Sequence, residues 1–153
     1  MDFSEAIIEA TIDVFSTMIM LDANPGSPMK EKVLSFQESV SGLLGFSGDI
    51  KGMLRIHCPN QVAMAITGSM LGMEVDQIDD DVNDAIGEIA NMVAGGLKVN
   101  LAKHDRNIEL SIPTAIGGKS YNVHSLARAE WVTIPFSMEA GQMLVELEYV
   151  GTK

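Results

Sequence analysis

Cysteine is almost missing from this chain. Cys58 stands alone among 153 residues, so no intrachain disulfide can form and nothing points to a stapled secreted domain. Basic side chains are scarce as well: ten Lys and Arg against 21 Asp and Glu leave a formal net charge of −11. That sign opposes DNA, RNA and anionic lipid surfaces, which are bound through basic patches, and favours a partner that presents lysines. No apolar run approaches the roughly 18 to 20 residues of a membrane span. The start, Met1-Asp2-Phe3-Ser4-Glu5, has neither the basic region nor the small-residue cleavage site of a signal peptide. A cytoplasmic location is therefore expected, with no nucleic-acid or membrane partner.

What is present suits a globular domain. With 46% apolar residues, the chain is long enough to bury a core of its own, and 1–153 reads as a single domain. Its eleven methionines are expected mainly in that core.

Ile7, Ile8, Thr11, Val14, Phe15, Met18 and Ile19 recur at helical spacing behind Ser4, an expected N-cap, and predict a helix over 4–20. The cluster Asn24-Pro25-Gly26-Ser27-Pro28 breaks it. Strands are expected at 33–46 and 50–58. In the second, Leu54, Ile56 and Cys58 alternate with Met53, Arg55 and His57, which predicts one buried and one outer face. A short helix over 61–71 follows. Asp79-Asp80-Asp81 then places negative charge at the positive end of the longest helix, 82–103. Its apolar stripe is Ile86, Ile89, Val93, Gly96, Leu97 and Leu101. Further strands are expected at 108–116, 126–137 and 141–150, with turns at Gly117-Gly118 and at 138–141.

An internal repeat organises these pieces. Ser4-Glu5-Ala6-Ile7-Ile8-Glu9 aligns without a gap on Asn83-Asp84-Ala85-Ile86-Gly87-Glu88, and Gly52-Met53-Leu54-Arg55-Ile56 aligns on Gly141-Gln142-Met143-Leu144-Val145. The expected fold is an α/β (α+β) sandwich in which a long helix plus a β-hairpin occurs twice about a pseudo-two-fold axis.

Asp84, Glu88 and Asn91 are spaced by four and three, so they share one helix face, continued by Gly95 and Lys98. That face is turned from the apolar stripe. Gly87 and Gly95 each cost a helix about 1 kcal/mol relative to Ala, which suggests close approach of another chain or of the sheet beneath. The residues alone leave open whether this is a site or a solvated face. Other candidates are weaker. His57-Cys58, His104 and His124 lack zinc-ligand spacing, and Gly117-Gly118-Lys119-Ser120 lacks the earlier glycine of a phosphate loop. No bound metal or cofactor is expected.

The string Asp84-x-x-x-Glu88-x-x-Asn91 with Pro113 downstream, embedded in Gly87-Glu88-Ile89-Ala90-Asn91-Met92-Val93-Ala94-Gly95, resembles the signature of the CheC/CheX chemotaxis phosphatases. The resemblance extends over most of the chain. It implies that the protein removes phosphate from a phosphorylated CheY-like response regulator. Glu88 would dock by pairing with a lysine of that regulator, and Asn91 would orient the attacking water. Asp84, Gly87, Gly95 and Lys98 would complete the partner-binding surface, and any Mg²⁺ would belong to the regulator. In the repeat Ile12 stands where Asn91 does, so one site is implied. This makes the chain CheX-like, with a homodimer as a further implication. The alternative is a non-catalytic module of the same fold that binds a regulator or the flagellar switch.

Overall fold

The computed structural model describes residues 3–126 and 128–151. Helix α1 (Phe3–Val14) runs into a π-helical turn (Phe15–Ile19). A two-residue strand β1 (Asn24–Pro25) and the hairpin β2 (Ser35–Gly48) and β3 (Ile50–Pro59) follow. Next come α2 (Asn60–Leu71) and α3 (Asp80–Ala102). The chain then forms β4 (Ile108–Leu110), β5 (Thr114–Asn122), β6 (Glu130–Met138) and β7 (Gly141–Gly151). One antiparallel sheet has the order β1-β6-β7-β3-β2-β4, with β5 also pairing along β2. No helix among the described residues is long and apolar enough to cross a membrane.

The repeat is visible in the pairing. The two hairpins, β2–β3 and β6–β7, join through β3 and β7, and Ile56 lies opposite Val145, residues that the sequence repeat aligns with each other. Leu54, Ile56 and Cys58 on one strand and Met143, Val145 and Leu147 on the other face the same core. Ile7, Ala10, Thr11 and Val14 of α1 are buried as are their counterparts Ile86, Ile89, Ala90 and Val93 of α3. α1 and α3 pack closely at Gly96, where a Cβ would lie 2.9 Å from that of Ala10.

Several expectations need correction. α1 begins at Phe3, so Ser4 lies within its first turn and does not cap it. The strand expected at 108–116 is two strands. Leu110 pairs with Phe46 and Thr114 with Leu43, so Ser111, Ile112 and Pro113 oppose only Leu44 and Gly45. That extra residue is a bulge, and Pro113 has no N–H for the ladder. Gly117-Gly118 is not a turn: both residues pair with β2 inside β5. The turn before Gly141 is present, with Gly141 at φ 146°. The methionines are less buried than expected. Met143 is inside, whereas Met18, Met20 and Met73 are exposed.

The largest departure concerns the sheet face opposite the helices. Arg55 and His57 were expected to face solvent, yet both are buried. The segment after β1 crosses this face, held by Gly26 N–H to Pro135 O (2.8 Å) and Met29 N–H to Thr133 O (2.9 Å). Lys32 on this strap pairs with Glu148, which also accepts from Arg55 and from Leu126 N–H. Arg55 reaches Glu146 at 3.1 Å. Burial opposes ionisation of Glu148, but the hydrogen bonds from Lys32 and Arg55 outweigh it and hold the carboxyl below its usual range.

Candidate active site

α3 carries the signature. Asp79 caps it, its side chain accepting from Val82 N–H at 3.2 Å, while Asp80 and Asp81 fill the first turn as the helix dipole favours. Val82, Ala85, Ile86, Ile89, Ala90, Val93, Leu97 and Leu101 face the core. The helical period therefore puts Asp84 and Glu88 in solvent and Asn91 half-buried at the edge of the same face. Among the described residues, none of these three side chains has a hydrogen-bond or ion-pair partner.

The remaining residues of the stripe have distinct surroundings. Gly95 faces open space: a Cβ there would meet nothing within 4 Å. Gly87 is buried toward β5, where a Cβ would be 3.9 Å from the Thr114 carbonyl. Lys98 is partly engaged by Glu109 of β4 at 3.7 Å, with both groups largely in solvent.

Two contributors escaped the sequence reading. A cleft of about 470 Å³ lies beside Glu88, bounded by Asn83, Asp84 and Gly87 of α3 and by Pro113, Thr114 and Ala115. The bulge before β5 shapes its far wall, as bulges near functional sites commonly do. The second contributor is Gly42 of β2, directly beneath α3. A Cβ there would lie 2.4 Å from Ile86 O. The signature helix can rest at this height only because residue 42 has no side chain. A glycine inside a strand pattern was the available signal.

Structure also gathers Ser41, His57 and Glu146, which no sequence spacing suggested. Ser41 Oγ is 2.6 Å from His57 Nδ1, and His57 Nε2 is 3.5 Å from Glu146. The arrangement is not a hydrolytic triad. Ser41 is buried and its hydroxyl is shared with Tyr121 at 2.7 Å, so no substrate reaches it. Cys58, on the core side of the same strand, is inert: burial pushes its thiol up to about 12.

A half-buried amide and two exposed carboxylates thus share one face of α3, beside a bulged strand. The comparisons assign the family. The model for chemotaxis phosphatase CheX matches residues 40–137, and the chain belongs to that family. It is similar to the CheY-P phosphatase CheX of Thermotoga maritima, 26% identical over 121 residues, which is 78% of each chain. Among solved structures, the chemotaxis protein CheX of Desulfovibrio desulfuricans superposes with a TM-score of 0.89 at 27% identity, over 98% of this chain and 100% of that one. A CheC-like superfamily protein from Shewanella sp. PV-4 superposes with a TM-score of 0.90 at 29% identity, over 99% and 100%.

Proposed function

We propose that this protein hydrolyses the aspartyl phosphate of a CheY-like response regulator, with Glu88 docking the regulator and Asn91 orienting the water. The observation that carries this reading is the placement of Glu88 and Asn91 on one open helix face, free of internal partners among the described residues. An acyl phosphate is already activated, and the regulator holds the Mg²⁺. The phosphatase has only to place a water in line with the phosphorus. The water oxygen bonds to phosphorus as the bond to the aspartyl oxygen breaks. Phosphate leaves and the carboxylate is regenerated. The Asn91 carbonyl accepts a hydrogen bond from that water, and its NH₂ donates without bringing negative charge toward the phosphoryl group. Asp84 and Glu88 present carboxylates to a lysine of the regulator. Gly95 leaves room for its backbone, Gly87 opens the cleft wall, and Lys98 borders the contact. The protein needs no cofactor of its own, works in the cytoplasm and pairs as a homodimer, which sedimentation at micromolar concentration checks. Phosphate release from a phosphorylated cognate regulator tests the reaction. Binding without any acceleration would leave a docking module in its place.

A further inference from the structure

Away from the signature face, the protein exposes methionine where the backbone makes it costly. Met20 ends the π-helical turn in the left-handed conformation (φ 63°), closed by its N–H to Phe15 O at 2.7 Å, and is 74% exposed. Glycine would adopt this conformation without strain. Non-glycine residues in strained conformations and π-helical turns both cluster at functional sites. Met20 lines a cavity of about 720 Å³ with Ala65 of α2 and Met138 at the β6–β7 turn. Across Ala65 the depression continues as a second cavity of about 450 Å³ along α2, past Met64 and Met73. Ser69 Oγ donates to Ile19 O, so the π-helical turn and α2 hold each other at fixed separation.

Charge indicates what this groove takes. Asp22 and Glu139 border the first cavity and Glu74 the second. Residues 3–25, 60–80 and 138–141 contain Asp and Glu but no Lys, Arg or His. A second copy of the chain would bring the same acids against these. We propose that the groove docks a basic amphipathic helix of a partner protein, its apolar face on Met20, Met73 and Met138 and its cations against Asp22, Glu74 and Glu139. Flexible thioether side chains suit such an apolar face, as in other helix-in-groove contacts.

The probe is a fluorescein-labelled synthetic helix of about 18 Lys and Leu residues with its leucines on one face, titrated by anisotropy at physiological salt. Saturable one-to-one binding is expected. Met20→Gly should weaken it about tenfold, a typical loss for a contact that matters, without lowering the melting temperature, because glycine relieves the strained backbone. Glu139→Lys should weaken it as well, and Asn91→Ala should leave it intact. Absent binding, or equal binding to wild type and Met20→Gly, would overturn the proposal. Loss in Asn91→Ala would place the peptide on the phosphatase face and overturn it equally. Because Asn91→Ala and Met20→Gly separate the two faces, failure of the groove leaves the phosphatase reading standing, and the reverse.

Discussion

Gly42→Ala puts the geometry of the site under direct strain. The added Cβ would stand 2.4 Å from Ile86 O and 2.8 Å from Ile86 C. An ordinary C···O contact needs about 3.3 Å, so β2 and α3 must part by roughly 0.9 Å. Overpacking of this kind costs about 1 to 3 kcal/mol. For a domain of this size, that lowers the melting temperature by about 2 to 12 °C. The catalytic effect should exceed the thermal one. Ile86 lies between Asp84 and Glu88, so the displacement is passed to the signature face, where a 1 Å misplacement can cost about a hundredfold in rate. Thermal melting and phosphate release, both measured below the variant's transition, read the two effects separately. Gly95→Ala is the contrast: with nothing near its Cβ, it should gain up to about 1 kcal/mol of helix propensity while hindering the partner's approach. A Gly42→Ala protein that melts and turns over like wild type would refute the idea that this glycine sets the height of α3.

Glu88→Ala should raise the Kd for the phosphorylated regulator and flatten its salt dependence. An exposed pair contributes only about 0.2 to 1 kcal/mol and a desolvated one more, so a titration at two ionic strengths decides between them. The Glu148 cluster predicts acid sensitivity. Its folded carboxyl is held below its ordinary value, so its contribution is complete above the unfolded pKa of about 4.3 and is lost as pH falls through the lower folded value. Melting temperature followed downward from pH 5 should show that loss, and Glu148→Gln, already weakened at neutral pH, should show less of it.

Most of the helical layer was legible because its signals are local. The 3.6-residue stripe of Ile86, Ile89 and Val93 fixed which side of α3 faces solvent, and the acid run marked the end of the helix where negative charge is favoured, though not which residue caps it. The repeat aligned Ile56 with Val145, which the sheet then paired. The far face of the sheet was illegible for the opposite reason. Alternation told which residues leave the core side, but not that a strap from a proline-rich connection would cover Arg55 and His57 and bring Lys32 to Glu148. The Lys32–Glu148 pair spans 116 residues and the Arg55–Glu146 pair 91, and no spacing records such contacts. The bulge at Ser111–Pro113 was missed because a continuous β-like run hides a single extra residue until its partner strand is known. Thr114 joined the site by the same route.

The central claim is that Asn91 supplies the chemistry, and Asn91→Ala tests it most directly. Its half-exposed position makes the substitution mild for the fold, while removal of a transition-state contact costs about 3 to 4 kcal/mol. Phosphate release from the phosphorylated regulator should therefore fall by about a hundred- to a thousandfold, with regulator binding and melting temperature close to wild type. Ile12→Ala, at the equivalent place on α1 and 39% exposed, should leave the rate unchanged. An Asn91→Ala protein that strips phosphate at the wild-type rate would contradict the account.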